Sequence, residues 1–166
     1  MSDPKPDTSS LMKIDGACLC GYIRYEALID PARVGICHCT DCQIHSASAF
    51  RIGVPVRVGD FRLLTGQLKV YVKTAQSGSA RAMSFCPECG TSIHGSSVEK
   101  PTTYSLRLGN ARQRAELRPR QQIWCGSALP WLGDFIDTPR FAGQTRESLM
   151  TNPSDAPSNE PAPVRP

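Results

Sequence analysis

"CLCG" at residues 18–21 and "CPECG" at residues 86–90 each end in a cysteine followed directly by glycine. That glycine lets the chain turn with positive φ, so successive backbone N–H groups can point at the cysteine sulfurs. Two such turns brought together from distant parts of one chain make a closed shell of four thiolates, the shell that holds structural zinc. The link would staple the first strand to a hairpin expected at 80–95, a contact with a high loop-closure entropy. On this reading the fold is a small β domain tied together by metal.

A third cluster lies between these two. "CHCTDC" at 37–42 packs three cysteines and a histidine into six positions, and Gln43 rather than glycine follows its last cysteine. Three thiols so close in sequence would share one metal and leave its fourth position open, the pattern of catalytic zinc. Another pairing competes: Cys39 and Cys42 joined to Cys86 and Cys89 would make an ordinary zinc ribbon, stranding Cys18, Cys20 and Cys37. The matching Cys-Gly turns favour the division of four plus three.

The setting supports metal over disulfide. The N-terminus, "MSDPKPDTSS", has no apolar core of the kind a secretory signal carries, and no run of about 18 apolar residues occurs. A cytoplasmic location is therefore expected, where clustered thiols do metal or redox work. The chain has 166 residues, 40% of them hydrophobic, with a formal charge of +4, which suits one soluble domain. Its densest basic stretch, "RQRAELRPR" at 112–120, lacks aromatics and reads as a solvated loop, so nucleic acid is not the expected partner.

Short alternating runs, "YIRYEAL" (22–28), "FRIGVPVRV" (50–58), "LKVYV" (68–72) and "TYSLRL" (103–108), are separated by Gly, Pro, Asn and Asp. That spacing predicts an all-β domain with little helix. One helical turn is expected within 40–49 and a weaker one near 143–150. Residues 1–11 form a polar tail, and 142–166 form an extension that is Pro-rich and disordered from about 151, since neither buries enough to offset ordering entropy.

Charge says what the open site prefers. Zinc with three thiolates is net negative and activates water poorly, whereas a soft exogenous thiol suits its fourth position. Thiol chemistry is thus expected over hydrolysis. His38, flanked by two ligating cysteines, should point away from them, in a supporting or surface role rather than as a ligand, and is a candidate catalytic residue. Asp41 is a candidate general base or a helix cap. His45 and His94 have no motif around them and read as satisfied polar or surface residues. Cys125 reads as a small buried hydrophobe. Trp124 and Trp131 either wall a pocket or fill the core. Arg51 and Arg107 either balance the anionic site and grip ligand carboxylates, or face solvent from their strands.

Together "GACLCGYIRYE", "CHCTDCQ…SASAFR", "FCPECGTSI" and "IWCGSALPWL" resemble the glutathione-dependent formaldehyde-activating family, whose domain also occurs in centromere protein V. The resemblance covers roughly residues 12–141 and implies a Mss4-like fold of several coiled antiparallel β-sheets. It implies two zinc ions, one on Cys18, Cys20, Cys86 and Cys89, the other on Cys37, Cys39 and Cys42. The implied reaction joins glutathione to formaldehyde as S-hydroxymethylglutathione, a carbon–sulfur lyase activity. Two places depart from the family pattern: Ser46–Ala47 stands where Ser-Gly is expected, and Asn110, Ala111 and Arg112 stand where Leu-Asp-Asp is expected. The expected function is thiol-adduct chemistry with a thiol such as glutathione and a small carbonyl compound. The rivals are a zinc-stapled β module that only binds protein or nucleic acid, and a zinc-thiol redox sensor.

Overall fold

The computed structural model describes residues 10–75, 78–137 and 143. The chain divides into two compact units, Met1–Pro130 and Trp131–Pro166. Among the described residues, ten strands lie in the first: β1 (Met12–Ala17), β2 (Arg24–Ile29), β3 (Gly35–Cys37), β4 (Arg51–Arg57), β5 (Phe61–Thr65), β6 (Lys69–Thr74), β7 (Ala80–Phe85), β8 (Ser92–Ser97), β9 (Thr103–Arg107) and β10 (Gln121–Ile123). One α-helix, α1 (Thr40–Ser46), follows β3. In the second unit the described residues belong mostly to a 3-10 stretch, Pro130–Asp137. The expected tails, and the weak helix near 143–150, fall almost wholly outside the described residues.

The domain is mostly β, as the strand spacing predicts. β1, β2 and β5 form an antiparallel three-stranded sheet, and the other seven strands form a second sheet in the order β10-β3-β4-β9-β8-β7-β6. One pair departs from the antiparallel expectation: β10 runs parallel to β3, with Ile123 level with Cys37. The period of two is plainest in β2, where Tyr25, Ala27 and Ile29 are buried and the residues between them are not. The core holds Ile14, Ile23, Tyr25, Val54, Ile93 and Leu106, each at most 1% exposed. Burial of each large side chain contributes about 1.5–3 kcal/mol.

Asn110 bridges the core to β8. It accepts the Tyr25 hydroxyl hydrogen bond at 2.8 Å, and its amide donates to the Ser92 carbonyl at 2.8 Å. Beside it Ala111 is fully buried, and Arg112 pairs with Asp15 on β1. The departure from the family's Leu-Asp-Asp pattern therefore falls on residues with structural partners. A leucine at 110 would make neither bond.

Pleating sorts the seven-stranded sheet into two faces. Direct cross-strand partners share a face, so the register Cys37–Arg51, Gly53–Arg107, Ser105–Gly95, Gly95–Met83 and Arg81–Lys73 aligns one set of side chains. The opposite face carries Ile52, Val54, Val56 and Leu106 toward the core. His94 lies level with Leu106 and is buried, stacked on Tyr104 at 4.0 Å between ring centroids.

Candidate metal centres and the cavity between strand and helix

The two Cys-Gly turns have the conformation their sequence requires. Gly21 has φ +79° and Gly90 φ +73°, and the Ile23 N–H donates to the Cys18 sulfur at 3.2 Å. The first turn joins β1 to β2 and the second joins β7 to β8, so the hairpin at 80–95 meets the first hairpin. Cys18, Cys20, Cys86 and Cys89 come together with all four sulfurs within 4.8 Å of one another. Thr91 fastens this group, accepting from the Leu19 N–H at 3.1 Å and lying 3.1 Å from the Cys89 sulfur. That hydroxyl contact is the main reason the Cys89 thiol is lowered to about 5.

Cys37, Cys39 and Cys42 form a second group on the same criterion, and no histidine belongs to either group among the described residues. The ribbon pairing of Cys39 and Cys42 with Cys86 and Cys89 is not what the fold brings together. Four thiolates around zinc at about 2.3 Å would sit about 3.8 Å apart. The separations of 3.4 Å (Cys18–Cys20), 3.8 Å (Cys20–Cys86) and 3.5 Å (Cys37–Cys39) are of that size. Soft donors at tetrahedral spacing suit zinc in both groups.

The local fold sets the second group. Cys37 ends β3, Cys39 occupies the N-cap of α1, and Cys42 lies on the buried side of that helix. The N-cap is thus a cysteine rather than Asp41, and it makes no side-chain capping bond. Asp41 is exposed in the first turn and pairs with Lys73 of β6. The helix stops at Ala47, whose φ of 47° is left-handed where the family pattern places glycine. His38 is 1% exposed and turns away from the sulfurs, its Nε2 lying 2.8 Å from the Gln122 Oε1. Gln43 donates to the carbonyls of His38 at 2.7 Å and Ser127 at 2.8 Å, which ties the helix to the turn after β10.

A cavity of about 760 Å³ opens at the three-cysteine group, lined by all three of its cysteines and by the face of the sheet that carries Arg51, Arg81 and Arg107. The two arginines singled out from sequence face this cavity, not solvent. Arg51 Nε donates to the Cys42 sulfur at 3.1 Å and its Nη1 to the Ser105 hydroxyl at 3.0 Å. Burial opposes the Cys42 thiolate, but the Arg51 charge and hydrogen bond outweigh it and lower the thiol. Cys39, half-buried beside two other sulfurs, is pushed up to about 12, chiefly by burial. Trp124 stands on the cavity wall, 58% exposed and with φ +60°.

Two sequence expectations need correction. Cys125 is exposed, not a buried hydrophobe, because β10 and the turn after it run along the sheet edge with every residue from 121 to 127 exposed. His94 is a core residue rather than a surface one, and its Nδ1 has no hydrogen-bond partner. The cations Arg81 and Lys73 escaped the sequence reading, as did the role of Gln43. Only the register places the first two beside the cysteines. His45 is half-buried, and its pKa is lowered by burial and then by Arg107 and Arg51.

A β domain with two cysteine clusters, one of them at a basic cavity, defines a class of protein. Residues 13–127 match the model of the glutathione-dependent formaldehyde-activating enzymes, and the chain belongs to that family. A solved crystal structure of a Rhodobacter sphaeroides protein shares the fold, with a TM-score of 0.52 at 21% identity over 65% of this chain and 98% of that one. None of the curated proteins compared matches the chain.

Proposed function

We propose that the protein is a zinc-dependent carbon–sulfur lyase acting on thiol adducts, with glutathione and formaldehyde, or a related thiol and small carbonyl, as its reactants. Cys37, Cys39 and Cys42 would hold the catalytic zinc, and Cys18, Cys20, Cys86 and Cys89 the structural one. The observation that carries this reading is that only the three-cysteine group lines the large cavity. Zinc held by three thiolates supplies a soft centre that favours a thiol in its thiolate form. In the addition, the sulfur–carbon bond forms as the C=O π pair moves onto oxygen, and the proton lost by the thiol is returned to that oxygen. Lysis runs the same steps backward, with no oxidant or reductant.

The chain's own residues supply charge and position. Arg51 holds Cys42 and offsets the negative charge of the cluster. The cationic wall attracts an anionic thiol such as glutathione. His38 and Gln43 fix the two ends of the cysteine stretch rather than touching the reactants. Of the two candidate catalytic residues, His38 is bonded to Gln122 and stands off the cavity lining, whereas Asp41 lines the cavity, paired with Lys73. A reducing, cytoplasmic setting fits eight free cysteines.

The test is to count zinc per chain and follow its loss to a mild chelator with and without glutathione. Two zincs are expected, one labile and responsive to glutathione alone. Exchange between glutathione and formaldehyde should then exceed the spontaneous rate and fall back to it in Cys39→Ser. One zinc per chain, or a labile zinc indifferent to thiol, would refute the reading.

A further inference from the structure

The cavity contains a buried cation, Arg107, that no carboxylate balances among the described residues. Arg107 is 8% exposed, and its side-chain hydrogen bond is a long one, Nε to the Ser92 hydroxyl at 3.4 Å. Two cations of the same wall are otherwise engaged, Arg51 holding Cys42 and Lys73 paired with Asp41, and the third, Arg81, is only half-buried. A buried charge without a partner is costly, and such groups persist where a ligand completes them.

Room for the guanidiniums is built into the sheet. Gly53 lies level with Arg107 on the neighbouring strand, and a methyl group there would overlap the Arg51 guanidinium. A methyl on Gly95 would lie 3.3 Å from the Arg107 Nη2 and 3.4 Å from the Met83 sulfur. Two glycines on the cavity face thus leave a cradle that the arginine heads occupy. A planar guanidinium in such a cradle matches a carboxylate, which can accept two parallel N–H bonds.

We propose that Arg107 is the specificity-determining residue of this cavity and receives a carboxylate carried by a reactant. The inference rests on the reading of the cavity as a thiol–carbonyl site. Formaldehyde is neutral and leaves Arg107 unpaired. The carboxylate comes either from the thiol, as in glutathione, or from the carbonyl reactant, which is then an oxo acid.

Thiol-free probes test binding apart from chemistry. Zinc-loaded protein is titrated calorimetrically with S-methylglutathione, with its dimethyl ester, and with glyoxylate. The wild type should bind S-methylglutathione or glyoxylate but not the ester. Arg107→Met should weaken the bound probe by about 10- to 100-fold, the worth of a charged hydrogen-bonded contact, and Arg107→Lys should restore part of it. Gly95→Ala, which keeps the charge but crowds its head, should weaken binding less, and it serves if Arg107→Met does not fold. Loss confined to S-methylglutathione assigns the carboxylate to the thiol; loss confined to glyoxylate assigns it to the carbonyl reactant. The proposal is overturned if neither probe binds the wild type, or if Arg107→Met or Gly95→Ala binds both as well as the wild type does. Glutathione–formaldehyde exchange on the same samples separates the two readings. Probe binding without exchange leaves the carboxylate site standing and removes the lyase, and exchange without probe binding does the reverse.

Discussion

Removing one cysteine pair from each cluster should separate the two sites by stability. In Cys86→Ser/Cys89→Ser the closed cluster loses the pair that reaches across the chain, and in Cys39→Ser/Cys42→Ser the open cluster loses a local pair. The pairs are matched in burial: Cys86 and Cys42 are buried, and Cys89 and Cys39 are half-buried. Packing losses should therefore nearly cancel. What differs is the loop each metal closes. Cys20 and Cys86 are 66 residues apart, whereas Cys37 to Cys42 spans six positions. Chain-entropy arithmetic of the kind used for disulfides gives about 4 kcal/mol for the long loop and about 2 kcal/mol for the short one. The difference of about 2 kcal/mol corresponds to a midpoint roughly 4–8 °C lower for the first variant in a chain of this size. Thermal unfolding of zinc-loaded samples, with zinc content measured alongside, reads it directly. Each variant should carry one zinc fewer than the wild type. Equal midpoints, or a larger drop for Cys39→Ser/Cys42→Ser, would refute the assignment of the closed cluster as the structural one.

Two further outcomes follow from single residues. Burial first, and the Arg107 charge second, lower the pKa of His94 from 6.5 to about 4. The unfolded chain therefore binds this proton before the folded one does, and stability falls as the pH drops from about 6.5 to about 4, by on the order of 3 kcal/mol. His94→Phe, which keeps the ring against Tyr104, should flatten that part of the stability–pH profile; an unchanged slope would show that His94 is not its source. Ala47 adopts the left-handed conformation at the end of α1, so Ala47→Gly should raise stability by about 1 kcal/mol in denaturant titration, whereas a loss would mean that the methyl group packs usefully.

Much of the site was legible because cysteine spacing carries its own geometry. The glycines after Cys20 and Cys89 announce positive φ, and both have it. The strands at 22–28, 50–58, 68–72 and 103–108 appear as β2, β4, β6 and β9 with shifts of a few residues. β3 and β10 are three residues each, too short to show a period, and β10 pairs in parallel with a strand more than eighty residues earlier. No local pattern announces such a partner. The exposed row of β6 and the buried row of β9 differ in place in the sheet, edge against interior, rather than in sequence character. Arg107 shows the limit most clearly. Within "TYSLRL" an arginine looks like the solvent side of an alternating strand. It is buried because the strands on both sides place glycines on the cavity face, opposite Arg107 and opposite Ser105.

The two clusters use the same donor, so donor chemistry alone would not make one structural and the other reactive, as proposed. Connectivity separates them. The closed cluster joins two turns from separate hairpins, each of which supplies two sulfurs and none of which lines the large cavity. The open cluster takes all its sulfurs from one strand end and the helix that follows, leaving one side of the group to the sheet. Pleating then decides what that side meets, because the residues in register with Cys37 across β4, β9, β8, β7 and β6 are the ones that share its face. That face is cationic where the opposite face is apolar, so the thiolates gain counter-charges rather than a fourth sulfur. A site so composed favours an anionic ligand over a neutral one, and it can be altered by changing strand residues without touching a cysteine. Substrate preference within the family should therefore follow the arginines and glycines of β4, β8 and β9 more closely than the cysteine motif.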